Sequence, residues 1–298
     1  MRTVAIAGVG LIGGSFALAL RRAGFDGRIL GVSSERTIRE ALSLGVVDEG
    51  VTLADAAARA DLIYLSQPIA QILETISALG PLVRPGCLVS DAGSTKQRIV
   101  EEFTRCLPAG RFLGGHPMAG KETRGVASAD AALFDGRTYV LTPLDEAQLD
   151  LAEVREFRGW LDRIGAMTLV MDAAAHDRTV AHTSHLPQLV STALAATLAG
   201  RLEAGSQRAA GPGLTDMTRL AMSPYDVWRD ILDTNHAAVG EALDAYIAAL
   251  RELRAGLTSD EMAERFDAAN RLIYRQSGTI PGPREYPYSS IRIRSLDE

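Results

Sequence analysis

Two short polar segments in the first half of the chain carry residue types that commonly do chemistry. Residues 91–96 read Asp-Ala-Gly-Ser-Thr-Lys, and residues 114–122 read Gly-Gly-His-Pro-Met-Ala-Gly-Lys-Glu. Each follows an apolar run that predicts a β-strand, and open α/β sheets bind their ligands beyond the carboxyl ends of the strands. A histidine between two glycines and a proline lies on a backbone suited to close approach. Ser94 and His116 are therefore candidates for chemistry.

A structural interpretation of the same two segments stands beside the functional one. Ser94 or Thr95 would then cap a helix that begins near Gln97, and His116 would be a hydrogen-bonded loop histidine.

A glycine-rich turn at residues 8–13 (Gly-Val-Gly-Leu-Ile-Gly) lies directly behind the apolar run 4–7. In a strand-turn-helix the first glycine allows the tight turn, the second lets the backbone approach a pyrophosphate, and the third lets the helix pack on the strand. A helix is predicted from Ser15 to Arg22, Gly24 ends it, and a second strand at 28–33 completes the βαβ unit. The turn predicts a dinucleotide site, whose expected cofactor-binding residues are Gly8, Gly10, Leu11, Ile12, Gly13, Ser33, Ser34, Arg36, Ser66 and Pro68.

The end of the second strand bears on which dinucleotide binds. NAD sites usually present an acid to the ribose there, whereas this chain has Ser33 and Ser34, with Arg36 close behind. Two hydroxyls and a guanidinium favour the 2'-phosphate of NADP. Glu35 could still serve the ribose of NAD if the loop shifts, so NAD stays open.

Apolar strands alternate with helical stretches as far as about residue 172, which predicts an α/β protein with an N-terminal Rossmann-type doubly wound parallel sheet. Predicted strands are 3–7, 28–33, 62–66, 87–91, 111–115, 138–142 and 167–171. An all-helical C-terminal domain is expected over 173–277, with helices at 174–202, 213–223, 225–255 and 259–277. The domains are thus 1–172, 173–277 and an extended C-terminal tail, 278–298, whose prolines exclude a helix.

Bulk properties narrow the class of protein. The chain has 298 residues, 47% of them hydrophobic, and a net charge of −6, which disfavours a nucleic-acid surface. The uncharged stretch from Thr3 to Leu20 could alternatively be a secretory signal, but its four glycines interrupt the apolar core that a signal needs, so a cytoplasmic protein without a membrane anchor is expected. Cys87 and Cys106 could form one disulfide, although two incidental thiols fit better.

Five motifs in order resemble the prephenate and arogenate dehydrogenases of tyrosine biosynthesis. They are Gly-x-Gly-Leu-Ile-Gly-Gly-Ser at 8–15, the segments 91–96 and 114–122, Ser-His-Leu-Pro at 184–187, and Asp-Met-Thr-Arg-Leu-Ala at 216–221. The resemblance extends from residue 1 to about 275. It implies oxidative decarboxylation of a cyclohexadienyl ring, with hydride leaving C4 for NAD or NADP, and it implies no metal.

The resemblance also assigns roles. His116 matches the catalytic histidine, which would accept the proton of the 4-hydroxyl, and Ser94 matches a serine that bonds this hydroxyl or orients the histidine. Arg219 matches an arginine that binds a substrate carboxylate. The other expected substrate-binding residues are Lys121, Glu122, His176, Ser184, His185, Gln188, Asp216 and Trp228.

Two features of the helical part keep alternatives open. His182 and His185 lie three residues apart and suggest a metal site, but no carboxylate or cysteine completes a ligand set at a recognisable spacing. Many relatives carry a further histidine where this chain has Gln188, which leaves recognition of the substrate side chain, and with it prephenate against arogenate, undecided.

Two other functions compete with this one. A 3-hydroxyacid-type dehydrogenase shares the domain order but uses a lysine from the helical domain, whereas both lysines here, Lys96 and Lys121, lie in the first domain. A non-catalytic nucleotide-sensing relative is disfavoured by the joint presence of His116, Ser94 and Arg219.

A homodimer is expected from surplus apolar helix surface and from the resemblance. The apolar residues of segment 225–255 that suggest it are Val227, Ile231, Val239, Leu243, Tyr246, Ile247, Leu250 and Leu253.

Overall fold

The computed structural model of the protein describes residues 1–107, 111–201 and 209–277, with side chains up to residue 271. The predicted extended tail, 278–298, lies outside the described residues. The chain divides into two compact units, Met1–Ala242 and Leu243–Glu298. Every residue of the candidate site belongs to the first unit.

Eight strands form one sheet in the order β3-β2-β1-β4-β5-β6-β7-β8. The strands are β1 (Thr3–Ala7), β2 (Arg28–Val32), β3 (Glu49–Gly50), β4 (Leu62–Leu65), β5 (Leu88–Asp91), β6 (Phe112–Pro117), β7 (Thr138–Thr142) and β8 (Met167–Val170). The first six strands run parallel in the Rossmann order, which places a topological switch point between β1 and β4.

Six helices accompany the sheet: α1 (Leu11–Arg22), α2 (Glu35–Ser43), α3 (Leu53–Arg59), α4 (Ile69–Leu79), α5 (Gln97–Cys106) and α6 (Ala152–Arg163). Every described element after β8 is helical: α7 (Ala173–Val180), α8 (Leu186–Ala199), α9 (Pro212–Thr218), α10 (Tyr225–Thr234), α11 (His236–Ala255) and α12 (Glu261–Ser277). A π-helical turn, Ala181–His185, joins α7 to α8, and a 3-10 turn, Arg219–Met222, follows α9.

The parallel strands are apolar on both faces because helices cover both faces of the sheet. One core cluster contains Val4, Ile6, Phe16 and Tyr64, and a second contains Ala5, Ala7, Ile63 and Ile72. Alternate residues of β1 therefore enter different clusters, as the two-residue repeat of a strand requires.

The described structure departs from the predictions at four places. The two-residue strand β3 was not predicted, because it is too short to give an apolar pattern. Strand β7 runs antiparallel to β6, since the link between them carries only the short 3-10 turn Val126–Ser128 and no crossover helix. Helix α1 begins at Leu11, before the predicted Ser15. The predicted helix 225–255 is two helices that break at Asn235.

Cys87 and Cys106 are both free thiols. No helix within the described ranges is long and apolar enough to cross a membrane.

Candidate active site

The glycine turn lines a groove at the switch point between β1 and β4. This cavity, of about 510 Å³, is bordered by Gly8, Gly10, Ser33, Ser34, Ser66 and Pro68, all of which were predicted to bind the cofactor. Gly8 has a φ of +92°, which glycine adopts without strain. A Cβ on Gly13 would collide with the carbonyl of Gly8 and with Ser66 Oγ, whereas a Cβ on Gly10 would meet nothing within 4 Å. The backbone at Gly10 thus borders open space, which fits the pyrophosphate of a dinucleotide at the start of α1.

A second cavity, of about 420 Å³, continues the groove along Ser66 and Pro68. Leu11, Ile12, Ser94 and Lys121 line it, together with Asp226 and Asp230 from α10. Asp230 accepts a hydrogen bond from the backbone N–H of Ala70 at 3.0 Å, so α10 is tied to the first turn of α4. The reactive end of a dinucleotide laid along the groove would face Ser94.

The end of β2 places the predicted selectivity residues at the outer part of the groove. Ser33 and Ser34 line the first cavity, and Ser34 Oγ caps α2 by accepting from the backbone N–H of Thr37 at 3.3 Å. Arg36 lies exposed on the first turn of α2 and does not line the cavity. Two hydroxyls, a helix N-terminus and a nearby guanidinium could hold a phosphate.

A buried ion pair joins the two candidate segments, 91–96 and 114–122, to each other. Lys96 Nζ donates to Asp91 Oδ2 and, at 2.6 Å, to the carbonyl of Gly115, and both charged side chains are fully buried. Asp91 also accepts from the backbone N–H of Gly93 and of Gly115. Burial raises the pKa of Asp91 and lowers that of Lys96, while their mutual contact opposes both shifts. The pair joins the turn that carries Ser94 to the strand that carries His116.

His116 is joined to His176, as its Nδ1 lies 2.8 Å from His176 Nε2. His176 Nδ1 lies 2.7 Å from Asp177 Oδ1. Burial lowers the pKa of His116 well below 6.5, and His176, Lys96 and His185 lower it further. His116 is therefore a neutral imidazole at pH 7 and can accept a proton.

The start of α5 is capped by Asp177, and the interpretation of Ser94 or Thr95 as its cap is wrong. Asp177 accepts from the backbone N–H of Lys96 at 2.7 Å and of Gln97 at 2.9 Å. The hydroxyl of Thr95 instead pairs with that of Thr234 at 2.7 Å. The cap comes from a residue 80 positions further on, so local sequence could not identify it.

His185 lies at the end of the π-helical turn and is 1% exposed. Its ring packs edge-on to Trp228 with centroids 5.9 Å apart, and its Nδ1 lies 3.3 Å from Asn235 Nδ2. Burial lowers the pKa of His185 to about 4. His182 is exposed, and no group of three or more His, Cys, Asp or Glu in the described ranges could hold a metal.

The remaining predicted substrate residues form looser contacts. Arg219 Nη1 lies 3.7 Å from Glu122 Oε1, and both side chains are mostly exposed. Lys121 Nζ donates to Asp130 Oδ2 at 2.8 Å. Gln188 Nε2 donates to the carbonyl of Leu220 at 2.9 Å, so this amide holds the 3-10 turn that carries Arg219. Ser184 and Asp216 make no side-chain hydrogen bond to the other predicted site residues in the part of the chain that the structure describes.

Three polar residues of the site were not identified from the sequence: Lys96, Asp177 and Asn235. Lys96 gave a usable signal, since it lies five residues beyond Asp91 across a turn that follows a buried strand. Asp177 follows the predicted His176 directly, but its capping role depends on tertiary structure. Asn235 falls within a stretch predicted to be continuous helix.

A Rossmann sheet, a glycine turn at its switch point and a neutral buried histidine define an NAD(P)-dependent dehydrogenase. Two family models match the chain: "Prephenate dehydrogenase, nucleotide-binding domain" over residues 16–169, and "Prephenate dehydrogenase, dimerization domain" over residues 172–269. The chain belongs to the prephenate dehydrogenase family.

Individual relatives agree with this assignment. The prephenate dehydrogenase of Bacillus subtilis is 32% identical over 94% of this chain and 78% of its own length. A crystal structure of Aquifex aeolicus prephenate dehydrogenase with hydroxyphenyl propionate and NAD+ superposes with a TM-score of 0.83 at 31% identity, covering 93% of this chain and 98% of that one. Synechocystis arogenate dehydrogenase superposes with a TM-score of 0.75 at 31% identity and the same coverage. The protein is thus an oxidoreductase with prephenate or arogenate dehydrogenase activity and a nicotinamide cofactor.

Proposed function

We propose that His116 accepts the proton of the substrate's 4-hydroxyl while the ring is oxidised and decarboxylated. Bound in the groove, the nicotinamide would supply the hydride acceptor. As hydride leaves C4, the hydroxyl oxygen becomes a carbonyl and its proton passes to His116 Nε2. The ring carboxylate leaves as carbon dioxide, and its bonding electrons complete the aromatic ring and turn the C4 carbonyl into a phenolate oxygen. The phenolate takes the proton back from His116, which restores the neutral base. The observation that carries this proposal is the placement of the His116 ring, buried in β6 with its Nδ1 held 2.8 Å from His176 Nε2, and the lowered pKa of the buried imidazole supports it.

Ser94 is proposed to hold the same hydroxyl. It lies in the turn between Asp91 and Lys96 and lines the inner part of the groove. A hydroxyl group there can donate to the substrate oxygen and steady it while charge moves.

Arg219 is proposed to bind a carboxylate of the substrate, with Lys121, Glu122, Asp216 and Trp228 around the entrance. Its contact to Glu122 at 3.7 Å is weak enough to be exchanged for a ligand carboxylate. His176, Ser184, His185 and Gln188 are proposed to line or support the pocket. The ligands of the Aquifex relative, a hydroxyphenyl acid and NAD+, support a hydroxylated ring with a carboxylate as the substrate class.

We further propose that NADP is preferred over NAD, on the evidence of Ser33 and Ser34 in the groove with Arg36 nearby. Ser33→Asp would place a carboxylate that accepts from the ribose hydroxyls and repels a 2'-phosphate. We expect the ratio of kcat/KM for NADP to that for NAD to fall at least 10-fold in this variant. Ser43→Asp, at the last residue of α2 and away from the groove, is the control. A wild-type protein that already favours NAD several-fold would refute the preference.

The chain is also proposed to act as a homodimer, with the Rossmann region at 1–172 and the helical region at 173–277 as its domains. The description of the second family model as a dimerization domain supports this arrangement.

The function is tested by incubating the purified protein with prephenate or arogenate and with NADP or NAD, and by following reduced nicotinamide. One substrate should be turned over with release of carbon dioxide in equal amount. Turnover of neither substrate with either cofactor would contradict the proposal.

A further inference from the structure

Asp177 is a hydrogen-bond acceptor at every contact it makes through its carboxylate. It is 3% exposed and accepts from two backbone N–H groups at the start of α5. Each oxygen already accepts a backbone N–H, so the carboxylate is an acceptor towards its other neighbours too. His176 Nδ1, 2.7 Å away, must then carry a proton and donate it. In a neutral imidazole the other nitrogen, His176 Nε2, is left as an acceptor.

The hydrogen bond between the two histidines also fixes the tautomer of His116. His116 Nδ1 faces the acceptor His176 Nε2 at 2.8 Å, so Nδ1 of His116 carries the proton. The other ring nitrogen, Nε2, is then unprotonated and carries a lone pair. No hydrogen bond reaches this atom from the residues that the structure describes, and it is not among the buried polar atoms that lack a partner. Nε2 therefore borders accessible space.

Asn235 gives His185 the opposite tautomer. Its Nδ2 donates to the backbone carbonyl of Asp177 at 2.8 Å, and a carbonyl can only accept, which fixes the orientation of the amide. The second hydrogen of Nδ2 faces His185 Nδ1 at 3.3 Å, so that nitrogen accepts. The proton of the His185 ring is then on Nε2. This atom too is absent from the buried unpartnered set.

We propose that Asp177 and Asn235 are positioning residues that give the two buried histidines, His116 and His185, opposite tautomers. His116 presents a lone pair at Nε2 for the proton of the substrate hydroxyl, and His185 presents an N–H at Nε2 for a substrate carboxylate oxygen. The assignment of these two substrate groups rests on the function proposed above. Asp177 takes part in both connections. Its carboxylate reaches His116 through His176, and its backbone carbonyl reaches His185 through Asn235.

The charged and titratable neighbours permit neutral rings at both positions. His116 faces His176, Lys96 and His185, and His185 faces Asp177 and His176. None of the groups around His116 is a carboxylate in contact with its ring, so no direct ion pair holds it in the doubly protonated form.

The direct test is the tautomer of each ring in the holoenzyme, read from long-range proton-nitrogen correlations of protein labelled with 15N-histidine at pH 7.5. The chain has five histidines, and His182→Gln and His236→Gln, both at exposed positions, assist assignment. We expect protons on Nδ1 of His116 and on Nε2 of His185. A proton on Nε2 of His116, or on Nδ1 of His185, would overturn the proposal even if the enzyme is fully active.

Asp177→Asn tests the chain of hydrogen bonds from Asp177 through His176 to His116. If the new amide donates to His176 Nδ1, the proton order reverses and His116 Nε2 becomes protonated. We expect kcat to fall by about 10²–10⁴-fold, the usual worth of a positioned base, with the cofactor Kd within 3-fold of wild type. Asp172→Asn is the matched control, because the Asp172 carboxylate also accepts a backbone N–H at a helix start, that of Ala175, but bonds to neither histidine ring. Equal effects of the two variants would contradict the proposal.

Asn235→Asp tests the hydrogen bond from Asn235 to His185. An aspartate accepts from His185 Nδ1 and leaves a lone pair at Nε2, which repels a carboxylate. We expect KM for the substrate to rise at least 10-fold at pH 8 and to fall again towards pH 6, as the ring gains its second proton, with kcat changed less than 3-fold. A merely structural role would change KM by the same factor at both pH values. Normal tautomers together with a fully active His116→Asn variant would refute the proposed function and leave this inference standing.

Discussion

Histidines of the same chemical type take different states here because their surroundings differ. His116 and His185 are buried and held neutral by desolvation, whereas His182 and His236 are exposed. Each ring of the buried pair has a side-chain partner on Nδ1, His176 for His116 and Asn235 for His185. Burial thus selects which histidines can serve a reaction near neutral pH.

The burial of His185 has a consequence for stability in acid. Its folded pKa of about 4 lies below the ordinary value of 6.5, so between these values the unfolded chain binds more protons than the folded one. Stability from this group is complete above pH 6.5 and falls by about 3 kcal/mol as the pH drops to 4.

We therefore expect the free energy of unfolding in urea to fall more steeply between pH 7 and 4.5 in wild type than in His185→Gln. His236→Gln, which removes an exposed histidine, should keep the wild-type slope. Parallel slopes for wild type and His185→Gln would contradict the burial effect.

Sequence alone predicted the candidate reacting side chains but not the groups that the structure places around them. His116 and Ser94 lie directly after predicted strands, where the topology of the sheet concentrates ligand contacts. Asp177 and Asn235 act across 50 or more positions of chain, so no local pattern could indicate them.

At the scale of elements, the turn between β1 and α1 separates two uses of glycine. Gly13 packs against backbone and Ser66, while Gly10 faces open space in the groove. Gly13→Ala should lower stability by about 1–3 kcal/mol through overpacking. Gly10→Ala, its matched counterpart, should leave the melting temperature within about 2 °C and weaken cofactor binding by about 10-fold.

Two measurements distinguish the variants. The melting temperature without cofactor reports the stability effect of Gly13→Ala, and the cofactor Kd from titration calorimetry reports the binding effect of Gly10→Ala. A Gly10→Ala protein that binds the cofactor with the wild-type Kd would contradict the placement of the pyrophosphate at this turn.

The elements themselves followed the predictions wherever the apolar pattern was long. All seven predicted strands are present. Six of them are largely buried, and a strand covered on both faces needs a continuous apolar run, whereas β8 is largely exposed. The two-residue β3 offered no such run, and the reversal at β7 depends on a link without a crossover helix. The break at Asn235 arises from side-chain contacts to Asp177 and His185, which no helical period reveals.

At the scale of the whole molecule, the apolar residues that suggested a dimer divide into three groups by exposure. Ile231 and Val239 are buried, and Val227, Ile247 and Leu250 are each more than 40% exposed. The half-buried group is Leu243, Tyr246 and Leu253. Met222, Leu257 and Phe266 are exposed further still. Apolar surface of this kind commonly marks an interface.

We expect light scattering at micromolar concentration to report twice the chain mass of 31.8 kDa. Leu257→Glu should shift the protein towards monomer, while Leu82→Glu, at an exposed leucine of the Rossmann region, should not. A fully active monomeric wild type would contradict the dimer.

The most direct test of the proposed chemistry is the turnover of His116→Asn, which removes the proton acceptor and keeps a polar side chain of similar size. Steady-state kinetics with the preferred substrate and cofactor should show kcat reduced by about 10²–10⁴-fold, with the cofactor Kd unchanged. A variant that retains turnover within a few-fold of wild type would contradict the assignment of His116 as the base.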